Sequence, residues 1–378
     1  MTWLVIITIL WLLAEGAVPK ASRYSLSQNG NSNINTLCKI GLILTLTLMV
    51  GFWGLVAQDH EMYVGIYQLL SHYTLSDVLG NITDIFRRQA MGMELGYNII
   101  NVLASSLGLK PPLFLTLVAL LVNTCIIKFI YDYPHPILSL FLLVSMNFFL
   151  MEANLVRQVF AMAIFLISIQ FLLKGNWKKY LLLIFVATLF HVSAVALGIF
   201  AVFLVPKSHE TQKYALITLI FSWLVSLLIM SGFVSFNLLS VLSDSTYSIY
   251  TKGGNSISME VSLLNIVFHN VIVIASLLCF KSLKINYKLI YYAVIITTAS
   301  IVNCSYSLPN IFRFATYFNV AFFAFTIFIF QKSGKWRLGN YSIPILFLQV
   351  YCGIRLFTSF ILEENIFGSE SYSLSDFF

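Results

Sequence analysis

Charged side chains are scarce in this chain. Asp, Glu, Lys and Arg make up 10% of its 378 residues, whereas a soluble domain carries about 25%. Hydrophobic residues make up 59%, and the mean hydropathy is +0.88. The apolar residues form repeated runs of about 20, the length that an α-helix needs to cross the hydrocarbon core of a bilayer. A soluble globular fold is thereby excluded, and the composition predicts an all-α, polytopic integral membrane protein.

Paired cysteines and nucleotide-binding motifs are also absent. The five cysteines occur singly in apolar segments, so the sequence holds neither a disulfide framework nor a CxxC metal site. No P-loop, GxSxG, HExxH or GxGxxG motif occurs, which leaves ATP-driven and NAD-dependent chemistry without support. We therefore expect no metal and no cofactor. The net charge of +7 is spread over short loops, a distribution typical of membrane topology rather than of nucleic-acid binding.

Two long polar segments, 58–110 and 233–260, interrupt the apolar runs. Within the first, residues 96–108 are predicted to form a short interfacial helix. Most of the 22 Lys and Arg residues lie in the other, shorter loops, which the positive-inside rule assigns to the cytoplasm. All of these loops can be cytoplasmic only if the run 180–205 enters and leaves on the same side. We therefore predict two half-helices that turn near His191, since irregular backbone at membrane depth is tolerated around a water-filled cavity.

The resulting topology has about 12 transmembrane or half-membrane helices. They form a single transmembrane domain over residues 1–378, with both termini and both long loops on the extracytoplasmic side. The remaining predicted helices span residues 1–18, 37–57, 112–131, 137–151, 154–173, 213–232, 261–280, 289–303, 311–330 and 341–362.

Two arginines lie at the ends of predicted membrane helices. Arg157 is in the first turn of the helix 154–173, and Arg313 lies in the stretch NIFRFATYF on the same predicted side. Ionisable groups at membrane depth are costly and indicate function by default, although an interfacial arginine can also snorkel to headgroups. A guanidinium matches phosphate oxygens bidentately, and two of them match the charge of a lipid diphosphate. Gln158, beside Arg157, is a candidate for hydrogen bonding to a sugar or to the same phosphate.

A histidine occupies the predicted turn of the run 180–205. His191 lies in the stretch LFHVSA, where exposure to a cavity would let it act as a general base or as a hydrogen-bond donor. The alternative is a core histidine that is hydrogen-bonded to a neighbour. Ser193 is either its helper or a small packing residue.

Acidic and aromatic residues are combined twice in the first polar segment. Asp59, Tyr63 and Tyr67 have the spacing D-x3-Y-x3-Y, which places all three on one face of a helix. A carboxylate with two phenol rings suits the hydroxyls and ring faces of sugars, whereas the alternative is an interfacial aromatic belt. Glu94 and Tyr97, in MELGYNII, form a similar pair. Asp59 is also a second candidate for the general base.

In its order of motifs the chain resembles the EpsG-like branch of the bacterial Wzy-type polysaccharide polymerases. The resemblance covers about residues 55 to 330. One departure is Leu95, where the family often has a proline after the acid. The matching blocks are D-x3-Y-x3-Y at Asp59, Tyr63 and Tyr67, E-x-G-Y at Glu94 and Tyr97, NLVRQ-x3-A at Arg157 and Gln158, A-x2-FH-x-SA at Ala187, His191 and Ser193, and NIFRFATYF at Arg313.

The resemblance implies a membrane glycosyltransferase of the bacterial inner membrane with a periplasmic site. Such an enzyme polymerises oligosaccharide repeat units, carried on undecaprenyl diphosphate, into O-antigen or exopolysaccharide, with the lipid diphosphate as leaving group. A chain-length regulator and a flippase are the implied partners in the membrane. Two alternatives stay open on the residues alone, namely a flippase or transporter of the same lipid-linked sugars and a glycosyltransferase or acyltransferase that acts only once.

Overall fold

The described part of the chain is helical apart from one two-stranded hairpin. The computed structural model describes residues 32–54, 59–80, 93–146, 148–204, 209–231, 262–283, 287–307, 311–334, 336–338 and 341–357. In chain order the elements are α1 (Ser32–Gly54), α2 (His60–Leu70), α3 (Leu75–Gly80), α4 (Leu95–Ser106), α5 (Pro111–Tyr131), α6 (Pro136–Ser145), α7 (Phe148–Asn154), α8 (Val156–Leu173), α9 (Trp177–Thr188), a 3₁₀ helix (Val192–Leu204), α10 (His209–Met230), α11 (Leu263–Cys279), α12 (Lys288–Ser307), α13 (Phe312–Ser333), the antiparallel strands β1 (Arg337–Leu338) and β2 (Tyr341–Ser342), and α14 (Ile343–Phe357).

Several of these helices have the length and composition of membrane spans. Within the described residues, five are long and apolar enough to cross a bilayer, and further apolar helices are shorter. The predicted all-helical fold is therefore confirmed and its long apolar helices are consistent with a membrane protein, whereas the number of 12 spans stays a prediction. The segments 1–18 and 233–260 lie outside the described residues. The five long helices are Pro111–Tyr131, Val156–Leu173, Gln212–Met230, Lys288–Ser307 and Phe312–Ser333.

The polar segment 58–110 contains more helix than the sequence predicts. The helix expected at 96–108 is present as α4, its interfacial position stays a prediction, and α2 and α3 precede it. The single helix predicted at 137–151 is wrong in one respect, because the chain forms two helices, α6 and α7, over this stretch. Leu155 N still donates to Met151 O at 2.9 Å, so α7 continues into α8 with only a local irregularity.

The run 180–205 turns back on itself, as the distribution of lysines predicts. α9 ends at Thr188 and the 3₁₀ helix begins at Val192. The Tyr180 hydroxyl donates to the carbonyl oxygen of Leu197, which requires the two segments to run antiparallel. A 12-residue α-helix is about 18 Å long, and a 13-residue 3₁₀ helix is about 26 Å long. Both are shorter than the roughly 30 Å of the hydrocarbon core, so half-membrane segments fit better than full crossings.

The described residues divide into two compact units. The first contains those among Met1–Phe171, Lys178–Gly198 and Ile345–Phe378, and the second contains those among Leu172–Trp177 and Ile199–Pro344. The expected single transmembrane domain stays a prediction.

In the first unit, α1 and α4 pack closely against neighbouring helices. α1 packs against α5 and α7, while α4 packs against α2 and α3. A Cβ on Gly51 would lie 2.8 Å from Thr116 Oγ1, so a larger residue at position 51 would require the Thr116 side chain to shift where α1 and α5 pack closely.

Three helices of the second unit are joined by a polar network. Trp223 Nε1 donates to Asn270 Oδ1 at 2.6 Å, and Asn270 Nδ2 donates to Asn303 Oδ1 at 2.7 Å. Interhelical hydrogen bonds of this kind supplement van der Waals packing between membrane helices. In the same unit, the side chain of Tyr287 lies against Gly175, since its hydroxyl would be 2.5 Å from a Cβ at position 175.

Candidate functional site

One carboxylate joins the two ionisable groups that the sequence singles out. Glu94 Oε2 accepts a hydrogen bond from Arg157 Nη1, and Glu94 Oε1 lies 3.1 Å from His191 Nδ1. The side chain of Glu94 is 7% exposed, whereas those of Arg157 and His191 are 19% and 22% exposed. The cluster is therefore buried at its carboxylate and reachable from outside at its guanidinium and imidazole. All three residues belong to the first unit.

The backbone around Gly96 brings Glu94 to this position. Gly96 N donates to Leu189 O at 2.7 Å, which fixes the start of α4 against the turn that carries His191. A Cβ at position 96 would lie 2.9 Å from the same carbonyl oxygen. Only glycine allows this approach without a shift of the backbone, and this accounts for the glycine of the E-x-G-Y motif. Leu95 is the first residue of α4, a position at which proline is favoured, so the family's proline and this leucine suit the same backbone.

The carboxylate of Glu94 determines which ring nitrogen of His191 can accept a proton. An ionised carboxylate has no proton to donate, so the contact at 3.1 Å requires a proton on Nδ1. In the neutral imidazole Nε2 is then the acceptor. The backbone N–H of Val192 also donates to Glu94 Oε1, at 3.4 Å, and helps to hold the carboxylate. His191 is thus oriented as a base whose free lone pair lies on the ring edge opposite Glu94.

Glu94 is ionised over the whole physiological range. Burial by itself would raise its pKa, but the hydrogen bond with His191 and the charge of Arg157 outweigh burial and lower the pKa from 4.5 to about 2. The negative charge is therefore a permanent part of the cluster.

Tyr63 supports Arg157 from the other side. The guanidinium of Arg157 forms a hydrogen bond with the Tyr63 hydroxyl, and that hydroxyl lies 3.5 Å from the carbonyl oxygen of Asn154. Burial raises the pKa of Tyr63, while the charge of Arg157 partly opposes the shift. The phenol therefore stays protonated, accepts from the guanidinium and donates to the carbonyl at the end of α7.

The three predicted tyrosines form one buried cluster with Phe114. The ring centroids of Tyr63 and Tyr97 are 5.9 Å apart, and those of Tyr67 and Phe114 are 5.3 Å apart. The Tyr67 hydroxyl donates to the carbonyl oxygen of Leu109. Each of these tyrosines is at most 4% exposed. In this structure the rings pack α2 against α4 and α5, and their predicted contacts with sugars stay predictions.

The other predicted residues lie at different distances from the cluster. Gln158 is buried beside Arg157 in α8, and Ser193 is half-buried in the turn after His191. Asp59 precedes α2 without capping it through its side chain, and its carboxylate acts electrostatically on Tyr63. Arg313 is half-buried at the start of α13 and belongs to the second unit. Its pairing with Arg157 on one diphosphate stays a prediction.

One buried acid near the cluster was not assigned a site role from the sequence. Glu152, near the end of α7, is 2% exposed and accepts a hydrogen bond from Asn123 Nδ2 at 3.3 Å. The available signal was an acid directly after the apolar run 137–151. Its partner Asn123 lies in the middle of an apolar helix, and no local pattern links the two residues.

These features define a helical, membrane-type protein in which a buried carboxylate joins a guanidinium and an imidazole. The chain belongs to the EpsG family, a polysaccharide polymerase-like family, because the family model matches residues 36–367, nearly the whole chain. The resemblance inferred from the motifs is thereby confirmed. No curated protein and no solved structure matches the chain.

Proposed function

We propose that this protein polymerises oligosaccharide repeat units carried on undecaprenyl diphosphate. The product would be O-antigen or exopolysaccharide, made at the periplasmic face of the bacterial inner membrane. The observation that carries the proposal is the contact of Glu94 with both Arg157 and His191, in a chain of the EpsG family. It combines an oriented base with a cation, which are the two groups that glycosyl transfer from a diphosphate requires.

The transfer step uses His191 as the base. The acceptor hydroxyl oxygen attacks the anomeric carbon of the donor sugar, and the bond between that carbon and the diphosphate oxygen breaks. The hydroxyl proton moves to Nε2 of His191, while the bonding electron pair leaves with the diphosphate. Glu94, on Nδ1, stabilises the imidazolium that forms. Asp59 was the other candidate base, but the contact with Glu94 favours His191, since it presets the imidazole for accepting a proton.

Arg157 stabilises the departing diphosphate. Glu94 occupies Nη1, and Tyr63 forms a further hydrogen bond with the guanidinium. The side chain of Arg157 is still 19% exposed, so part of it remains accessible to an anion. Electrostatic stabilisation of developing charge is often the largest single contribution to catalysis. Gln158, next to Arg157, and Ser193, two residues after His191, would lie on the sugar side in this proposal.

The test is a gel of surface polysaccharide from a deletion strain that expresses single variants. Arg157→Ala and His191→Ala should reduce the ladder to the single-repeat band at normal protein levels. Arg157→Lys should restore the ladder only partly, because a lysine ammonium cannot bind a phosphate bidentately as a guanidinium does. Arg355→Ala is the matched control, since Arg355 is a half-buried arginine of the same unit in α14. It should give a full ladder.

Other outcomes would support the alternative functions. Complete loss of repeat-bearing surface material in the deletion strain would indicate a flippase or transporter, because units would remain inside the cell. A ladder of normal length with an altered repeat would indicate an enzyme that transfers one sugar or one acyl group. A normal ladder with Arg157→Ala would overturn the assignment of this cluster.

A further inference from the structure

A second carboxyl group is buried in the first unit, and the proposed transfer step does not use it. Asn123 Nδ2 donates to Glu152 Oε1, but among the residues that the structure describes neither Glu152 Oε2 nor Asn123 Oδ1 has a hydrogen-bond partner. In the described part of the chain, no lysine, arginine or histidine forms an ion pair with Glu152. An uncompensated buried carboxylate costs several kcal/mol, so this arrangement would be unfavourable for an ionised group.

Protonation of Glu152 would remove the cost of burying its charge. If Oε2 of Glu152 carries a proton, it becomes a donor and can satisfy either Asn123 Oδ1 or a neighbouring water. The amide N–H and the acid O–H then form a complementary pair without net charge. Such a pair meets the requirement that buried polar groups be hydrogen-bonded.

A small cavity connects Glu152 with Tyr63. The cavity has a volume of about 30 Å³, and the polar side chains on its wall are those of Tyr63 and Glu152. The rest of the wall is apolar and comes from α1, α5, α7 and α8. A water molecule needs about 10–15 Å³ and at least two polar partners. The volume meets the first condition, and the wall includes one carboxyl-bearing and one phenol-bearing side chain, so a water in the cavity would lie between the acid and the phenol.

A water between Glu152 and Tyr63 would connect Glu152 with the cluster of Glu94, Arg157 and His191. Tyr63 contacts the guanidinium of Arg157 through its hydroxyl, and Arg157 in turn contacts Glu94. A change at Glu152 would therefore reach Arg157 through Tyr63, without any contact between Glu152 and substrate.

We propose that Glu152, paired with Asn123, is a positioning residue that as an uncharged acid holds a water molecule against Tyr63 and so fixes Arg157. The kinetic part of this inference rests on the proposed polymerase function. The protonation of Glu152 does not, and the two parts are tested separately.

The first test is infrared spectroscopy of the purified full-length protein in lipid nanodiscs near pH 7. The difference spectrum between wild type and Glu152→Gln should contain the carbonyl stretch of one protonated carboxylic acid, present only in wild type. A difference spectrum with carboxylate bands instead would overturn the inference, whatever reaction the protein catalyses.

The second test is the initial rate of polymerisation from a lipid-linked repeat unit at limiting donor. Glu152→Gln should keep the rate within about threefold, because the amide is neutral and can still donate. Glu152→Leu should lower it about 10- to 100-fold, the scale expected for a misplaced binding group. Ser168→Ala is the control, because Ser168 is buried in α8 and its hydroxyl donates to Phe165 O of its own helix.

A double-mutant cycle distinguishes positioning from loss of folding. Tyr63→Phe should lower the rate to a similar extent, and adding Glu152→Leu to it should change the rate little further, since both act on one path. Multiplicative losses, or a Glu152→Gln variant as slow as Glu152→Leu, would overturn the inference. If Glu152→Leu does not fold, the other two variants still test the inference. A slow Tyr63→Phe beside a nearly unchanged Glu152→Gln supports it, and a Tyr63→Phe at the wild-type rate overturns it. A wild type that makes no polymer would refute the proposed function and leave the infrared result standing.

Discussion

Replacing Glu94 by Gln keeps the shape of the side chain and removes the charge that joins the cluster. A carboxylate accepts from Arg157, His191 and Val192 together, whereas an amide has only one oxygen to accept with and turns an NH₂ group towards the remaining donors. Arg157 or His191 therefore loses its partner. Breaking a buried charge pair by removing one member costs about 3–5 kcal/mol.

The lowered pKa of Glu94 gives a second measure of the same loss. Its pKa is 4.5 without the folded environment and about 2 in the folded protein. Each pKa unit corresponds to about 1.4 kcal/mol, so ionised Glu94 contributes about 3 kcal/mol at pH 7. Because the folded pKa is the lower one, the contribution is complete above about pH 4.5 and is lost as the pH falls towards 2. At pH 3 about 40% of it should remain.

The assay is thermal unfolding of purified wild type and Glu94→Gln at pH 7 and at pH 3. We expect the variant to melt several degrees lower at pH 7, and the gap in Tm to fall at pH 3 to about 40% of its value at pH 7. Glu61→Gln is the matched control, since Glu61 is exposed on α2, and it should change stability by less than about 0.5 kcal/mol. A gap that is equal at both pH values, or no gap at pH 7, would refute the electrostatic argument.

Two further changes test how the cluster is built. Gly96→Ala should lower stability by about 1–3 kcal/mol in a melting experiment, because its Cβ would lie 2.9 Å from Leu189 O. Gly65→Ala, with no atom within 4 Å of the added Cβ, should be neutral or stabilising in the same helix-rich region. Tyr180→Phe leaves the carbonyl of Leu197 without its donor at a cost of about 1–3 kcal/mol. Faster amide exchange in the 3₁₀ helix would confirm this, and unchanged exchange would contradict it.

The distribution of charge and the lengths of the apolar runs predicted most of the helices. The turn at His191 is the clearest case, because it followed from the side of the membrane on which lysines belong and not from any local turn signal. The number and bounds of elements in 58–110 were less predictable. α2 and α3 are short and partly polar, so they lack the long apolar run that identifies a membrane helix.

The residues of the site were predicted more fully than their contacts. Arg157 and His191 were conspicuous as ionisable groups in apolar helices, whereas Glu94 lies in a polar segment where an acid is ordinary. Its two contacts span 63 and 97 positions of the chain, and no periodicity reports pairings at such separations. For Tyr63 and Tyr67, the sequence predicted correctly that both lie on one helix. It did not predict their burial, which depends on α4 and α5 packing around them.

The pairing of His191 with Glu94 also bears on the choice between catalysis and transport. A protein that only binds and moves a lipid diphosphate has no need of a proton acceptor. A carboxylate on Nδ1 of a histidine is useful where a proton has to be taken up and the resulting imidazolium stabilised. Glu94 lies at hydrogen-bond distance from Nδ1 of His191, which leaves Nε2 as the acceptor of the neutral ring. This arrangement therefore favours the proposed proton transfer over passage of an unchanged ligand.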